Sequence, residues 1–373
     1  MKVSFARERL ASAFGHAAAV APQRSPKAIL QNVLLDASEA TTLTATDLEI
    51  EIRLAVEDGE VQQAGRALLP VARFGAILRE SLDDRLTITR DDRAVLVRGE
   101  RSEFRFPAAD PDEFPRVEAD DDPETLELPA RVFREMIRRT VFATDPTSPR
   151  FAFGGVLLEM EPERLTAVGT DSRRLAKIDA AAAPAAGGAF KKVEGTTIVP
   201  TRSMQLIERV LGDDDAPVRL AVRGNDFVLR TGELMLSSRL LEGRFPAWRA
   251  AIPRDRKSQS VELMVGPIYN ALRQAAIVTS QESRRLDFSF APGTLTLSAR
   301  SAEYGQSRVE LPMSYEGPAL TISLNHRFVA DFFRVLDSED LFKLQFESPD
   351  AAALFSTGDG YEYVVMPLNP EGE

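Results

Sequence analysis

Cysteine is absent from this chain, histidine occurs only as His16 and His326, and tryptophan occurs once. Without thiols there is no disulfide framework and no thiolate nucleophile. Two histidines set far apart, with no carboxylate motif of metal-ligand spacing, leave nothing to hold a zinc ion. No apolar run is long enough to cross a bilayer, and Met1-Lys2-Val3-Ser4-Phe5 lacks the apolar block of a secretory signal, so a cytoplasmic protein is expected. The signatures of common enzymes are missing as well. A nucleotide hydrolase would need a glycine-rich loop ending in Gly-Lys-Ser/Thr, and Phe153-Gly154-Gly155-Val156 has no such lysine. A polymerase or nuclease would need converging carboxylates for two metals. The acidic runs Asp120-Asp121-Asp122 and Asp213-Asp214-Asp215 are consecutive and sit at loop-like positions, where they solvate turns. The expectation is a protein that is not an enzyme and has no metal and no cofactor.

What the chain does contain is one unit written three times. Each copy opens with an amphipathic stretch, Phe5 to Val20, Leu128 to Thr144 and Val265 to Ser280. Strand-like segments follow, built around Leu43-Thr44-Ala45-Thr46-Asp47, Leu165 to Asp171 and Leu295 to Ala299. A second helix then enters at Leu69-Pro70, Val199-Pro200 and Leu324-Asn325. A period of about 125 residues is far longer than a solenoid repeat, so each copy is a domain with its own core. The intervening segments Ala28 to Leu35, Leu43 to Val56, Asp226 to Leu241 and Tyr361 to Leu368 suit half-buried antiparallel strands. Short turns such as Asp58-Gly59 and Gly224-Asn225 connect them. Helices on one face of antiparallel sheet predict an α+β fold in three domains, 1–122, 123–250 and 251–373. Polar linkers are expected at 119–124 and 253–258, each shortly after a similar phrase, Glu113-Phe114-Pro115 and Arg244-Phe245-Pro246. The alanine- and glycine-rich 180–188 reads as a surface loop.

Charge is distributed unevenly over this pattern. The formal net charge is −11. The six helical stretches together carry +7, which leaves −18 for the rest of the chain. On the helix of the second copy, Phe133, Met136, Ile137, Thr140 and Val141 share one side, while Arg131, Arg134 and Arg138 share the other. Basic helices repeated three times point to a surface for a polyanion. A domain of this size approximates a sphere of roughly 18 Å radius. Three in a closed ring leave a hole of about 6 Å and four about 15 Å, too narrow for a duplex of roughly 20 Å, whereas six leave about 36 Å. A head-to-tail dimer of three-domain chains would therefore fit DNA.

Several phrases make the resemblance specific: Thr46-Asp47-Leu48-Glu49-Ile50, Val168 to Ala176, Glu242-Gly243-Arg244-Phe245-Pro246 and Tyr363-Val364-Val365-Met366-Pro367-Leu368. Over essentially its whole length the chain resembles the bacterial sliding clamp, the beta subunit of DNA polymerase III. That resemblance implies three similar clamp domains, a six-domain ring as a dimer, and a non-catalytic role. Such a ring encircles duplex DNA without regard to sequence, is loaded by a clamp loader, and tethers the replicative polymerase and other replication and repair proteins. It also implies a partner-peptide pocket lined by Phe153, Thr170, Ser172, Arg173, Arg174, Leu175, Pro246, Ala251, Val364, Val365 and Met366. DNA contacts are implied at Arg24, Arg73, Arg150 and Phe151, to which the α-helical arginine row adds Arg134 and Arg138. The alternative is a multidomain interaction scaffold that never encircles DNA.

Overall fold

A computed structural model describes residues 1–115, 124–185, 190, 193, 195–254, 258–280 and 284–368. The expected linkers at 119–124 and 253–258 and the loop at 180–188 lie in part outside the described residues. The chain forms two compact units, one of residues 1–134, 182–193 and 202–240, the other of residues 135–181, 194–201 and 241–373.

Among the described residues every paired strand is antiparallel. In the first unit a five-stranded sheet runs, in spatial order, β5 (Glu60–Gln63), β1 (Lys2–Ala6), β7 (Arg85–Arg90), β8 (Ala94–Arg98) and β9 (Glu103–Pro107). A nine-stranded sheet follows the order β14 (Ala183–Pro184), β10 (Leu126–Pro129), β16 (Pro217–Arg223), β17 (Asp226–Thr231), β18 (Leu234–Arg239), β4 (Ile50–Ala55), β3 (Thr42–Thr46), β2 (Asn32–Asp36) and β6 (Arg66–Pro70). The second unit holds an eight-stranded sheet, β15 (Ile198–Pro200), β11 (Gly155–Glu161), β12 (Arg164–Thr170), β13 (Arg174–Ala181), β26 (Tyr361–Val365), β25 (Ala353–Ser356), β24 (Leu341–Phe346) and β19 (Gln259–Met264). Its other sheet is β22 (Gly305–Pro312), β21 (Thr294–Ser301), β20 (Arg285–Ala291) and β23 (Leu320–Asn325).

Six helices fall where the periodicity places them: α1 (Arg7–Ala18), α2 (Val71–Glu80), α3 (Ala130–Thr140), α4 (Thr201–Val210), α5 (Val265–Ala275) and α6 (His326–Phe333). On α3 the inward residues Phe133, Met136, Ile137 and Thr140 are almost fully buried, while Arg131 and Arg138 are exposed, as the helical wheel requires. Several boundaries differ from expectation: Leu128 lies in β10, α3 gives way to a 3₁₀ turn at Val141–Ala143, and α5 stops at Ala275. Phe5 belongs to β1, because Val3 and Phe5 alternate into the core before the helix starts. Ala28–Gln31 forms a 3₁₀ turn ahead of β2, held by Asn32 Nδ2 donating to the carbonyls of Ala28 and Ile29. The largest aromatic core gathers Phe332, Phe333, Phe342, Phe355, Tyr361 and Tyr363, with Phe332 stacked on both tyrosines. Each such ring pair contributes about 0.5–1.5 kcal/mol beyond its buried area.

Two devices position the chemistry. The first is a turn used twice. Thr46 Oγ1 donates to the Ile50 carbonyl at 2.9 Å and accepts from Leu48 N, while Asp47 Oδ1 accepts from Glu49 N and Ile50 N. Thr170 and Asp171 repeat the arrangement with Arg174, Ser172 and Arg173. The side chains satisfy the turn amides so well that Leu48 and Ser172 are carried into positive φ, +80° and +74°. The second device is glycine at a close approach: a Cβ on Gly169 would lie 2.3 Å from the Thr140 carbonyl oxygen, so only glycine lets β12 pass the end of α3.

Candidate functional site

Alternation along β13 and β26 sorts the candidate residues onto two faces. Leu175 lies directly opposite Val364, and Arg174 opposite Val365. Leu175 and Val364 face away from the helices and join a buried cluster with Ala152, Phe245, Trp248 and Ile252, against which Leu241 packs. Phe245, Trp248 and Ile252 come from a strap, residues 241–254, that crosses the sheet, while Pro246 and Ala251 stay exposed on its rim. Met366, one residue beyond β26, donates its amide to the Arg173 carbonyl at 2.9 Å and leaves its side chain 47% exposed. The result is an apolar slot that its own buried side chains fill in the free chain, with a half-exposed thioether at its mouth that can adapt to several related side chains. Val365, named with this set, is fully buried on the opposite face, because a strand turns successive side chains to opposite sides.

Beside the slot lies a polar cleft of about 610 Å³ lined by Phe153, Ser172, Arg173, Arg174, Arg150 and Phe328, among others. Arg173 and Ser172 are exposed on the positive-φ turn. Arg174 is held differently, on the helix side. Its guanidinium donates to Asp171 at 3.0 Å, to Asp331 at 2.5 Å and to the Phe142 carbonyl at 2.5 Å, and it stacks 4.4 Å from the Phe328 centroid. Burial alone would push this guanidinium down; Tyr363, Asp331 and Asp171 outweigh burial and raise it. Arg174 therefore braces the cleft floor more than it offers free donors. Phe328, on α6, was invisible to sequence reasoning because its helix lies far along the chain from the Thr170–Arg174 turn.

The DNA candidates are placed separately. Arg24, in the loop after α1, and Arg73, on α2, are exposed. Arg134 Nε donates to the Glu208 carbonyl at 3.3 Å. Arg138 pairs with Glu135 at 2.7 Å and donates to the Val335 carbonyl at 3.0 Å. Arg150 sits on the rim of the cleft, its guanidinium 6.0 Å from the Phe153 ring centroid. The Phe151 side chain lies outside the described residues. Among the described residues no cluster of three or more His, Asp or Glu side chains suits a metal ion, and no helix is long and apolar enough to cross a membrane.

Family models describing the N-terminal, central and C-terminal domains of the DNA polymerase III beta subunit match residues 1–118, 127–247 and 249–369 in turn. The beta sliding clamp of Pseudomonas putida is 30% identical over 375 residues, covering 99% of this chain and 100% of that protein. The chain belongs to the beta sliding clamp family. The clamp of Chlamydia pneumoniae is 27% identical, with 99% of each chain covered. The solved Pseudomonas aeruginosa sliding clamp bound to griselimycin superposes with a TM-score of 0.90 at 26% identity, covering 99% of each chain. The Bacillus subtilis clamp has the same TM-score at 21% identity and shares the fold. Membership of this clamp family accounts for the threefold repeat and for the α+β architecture of helices on antiparallel sheets.

Proposed function

We propose that this protein is a DNA sliding clamp: a non-catalytic, cytoplasmic processivity factor that encircles duplex DNA as a homodimer of six domains. It is opened by a clamp loader and tethers the replicative polymerase and repair proteins through peptides seated in the slot and cleft. The three-domain partition 1–122, 123–250 and 251–373 is part of this reading, supported by the three matched ranges.

The observation that carries it is a strand joint made twice and left open once. In the first unit β4 of the first copy pairs with β18, the last strand of the second copy, with Ile50 opposite Ser238. In the second unit β13 pairs with β26, the last strand of the third copy, with Arg174 opposite Val365. Among the described residues the third member of each series has a partner on one side alone: β22 ends one sheet and β9 another. Exposed edges of this kind are templates for pairing. Phe106 holds the place of Ser238, since Val95 opposes it as Phe227 opposes Ser238, and Gly305 holds the place of Arg174. The repeated register then sets Phe106 opposite Gly305, Phe104 opposite Ser307 and Glu103 opposite Arg308 of a second copy. The large apolar side chains exposed near these edges, Leu82 and Phe104 by β9 and Ile277 and Tyr304 by β22, gain cover in such a joint. Two joints related by a twofold axis close the ring.

The functional test is loader-dependent primer extension on a long singly primed template. With this protein the cognate polymerase extends products severalfold longer per binding event. Product lengths unchanged by its addition would refute the tethering role.

A further inference from the structure

Glu159 on β11 meets two residues of the strap beside the peptide slot, Trp248 and Arg249. Its Oε1 accepts from the Trp248 indole N–H at 3.2 Å and from Arg249 Nη1 at 2.9 Å, and its Oε2 accepts from Arg249 Nη2 at 2.5 Å. The Arg249 guanidinium stacks 4.1 Å from the Trp248 ring centroid. Trp248 is 7% exposed and lies in the same cluster as Leu175 and Val364. The two residues therefore close into a clip: one carboxylate fixes an aromatic peg from its edge and clamps the next residue across its face. What the clip fixes is the slot's far wall. Trp248 opens a 3₁₀ turn, Trp248–Ala251, whose other residues are exposed, and it is flanked by exposed Pro246 and Ala251 on the rim.

We propose that Glu159 is a positioning residue for partner peptides, which it does not touch: it sets the slot's width by pinning the strap through Trp248 and Arg249. The inference rests on the slot reading given above. A bidentate charge-assisted pair is directional, so it holds the strap in one register where apolar packing alone would allow sliding. One further strap contact acts in the same sense at the other end: Arg254 pairs with Glu362 at 2.8 Å, and Glu362 is itself held on the sheet by Lys177 at 3.3 Å. Between Arg249 and Arg254 the rim is built of small residues, Ala250, Ala251 and Pro253, which supply little packing of their own.

Trp248 is the only tryptophan in the chain, so its emission reports this wall alone. The experiment titrates fluorescein-labelled peptides tiled over the C-terminal regions of the same organism's replicative polymerase and clamp-loader subunits, taking the tightest binder forward. It compares the full-length chain with Glu159→Ala, Glu159→Gln and Glu161→Ala. Glu161 serves as control for charge because it lies on the same strand and face and acts on Arg249 through its field, while its carboxylate bonds Arg164 at 2.6 Å. Expected for Glu159→Ala is about tenfold weaker binding, the equivalent of one charge-assisted hydrogen bond, with Trp248 emission shifted to the red and more readily quenched by acrylamide. Glu159→Gln, which keeps an acceptor for the indole, recovers part of both signals, and it carries the test alone if the alanine variant does not fold. Glu161→Ala binds like the unaltered chain. Unchanged affinity in a folded Glu159 variant, weakened binding with unaltered Trp248 emission and quenching, or an equal loss in Glu161→Ala would overturn the proposal. If no peptide binds the unaltered chain, the slot reading falls first and the clip falls with it.

Discussion

Met366 and Leu175 both belong to the pocket that the resemblance implies, and their exposures assign them unequal parts. Leu175 is already 4% exposed in the free chain, so a peptide has little left to cover there, whereas Met366 is 47% exposed. Covering such a side chain stabilises by about 1.5 to 3 kcal/mol. Met366→Ala should weaken peptide binding by roughly one to two orders of magnitude with an unchanged melting point, read by fluorescence titration and thermal unfolding. Truncation after Val364 is a different experiment, because it also deletes fully buried Val365 and should lower stability. Asp171→Ala removes the acceptor for Arg173 N and Arg174 N and leaves Arg174 one carboxylate short. A loss of about 1–3 kcal/mol is expected by chemical denaturation. Protonation has a sign that follows from the same surroundings. Burial, with Arg327, Arg284 and Arg334 nearby, holds the His326 imidazole below its usual range; burial with Arg209 does the same to His16. The unfolded chain takes up these protons first, so their contribution to stability is full above about pH 6.5 and declines as pH falls through the window beneath it. His326→Gln should flatten part of that acid loss in a pH series of melting temperatures, His16 retaining the remainder.

Among the elements, helices were the most legible in the sequence. The stripe Phe133, Met136, Ile137, Thr140 repeats at helical spacing and needs no partner to be read. Strands were legible as strands, but not their neighbours. Nothing local in Ile50–Ala55 or Arg174–Ala181 announces pairing with the last strand of the following copy, because strand partners are chosen by tertiary packing over long sequence separations. The slot suffered for the same reason. Its residues Leu175, Val364 and Trp248 meet only once β13, β26 and the strap are assembled, and the two-residue alternation that separates Val364 from Val365 decides which of them faces it. Gly169 illustrates how one element constrains another. Gly169→Ala forces a methyl against the Thr140 carbonyl at the end of α3, and a destabilisation of about 1–3 kcal/mol is expected by denaturant titration, with weaker peptide binding through the displaced Thr170 turn. At the free edges, Glu103→Arg should weaken dimerisation in sedimentation equilibrium and Arg308→Glu should do likewise, while the double exchange restores it. No recovery in the double variant would mean that the edges pair in another register.

For the whole molecule, the basic helices are the feature that composition concealed: the chain is acidic overall at −11 while its helices are net positive. Phosphate contacts from such helices are blind to sequence, which sliding demands. Arg24 and Arg73 are exposed, so reversing both should shorten the lifetime of the clamp on DNA while leaving the dimer intact, as read by single-molecule dwell times. Reversing Arg138 should also cost stability, since it abandons Glu135 and the Val335 carbonyl. Encirclement itself is a topological claim and has a topological test. Protein loaded onto closed circular plasmid by the clamp loader should stay bound through gel filtration in high salt and should be lost when a single restriction cut opens the circle, because a ring slides off free ends. Equal retention on circular and linear DNA, or loss from both at the same salt, would contradict the account and leave a scaffold that binds DNA from the side.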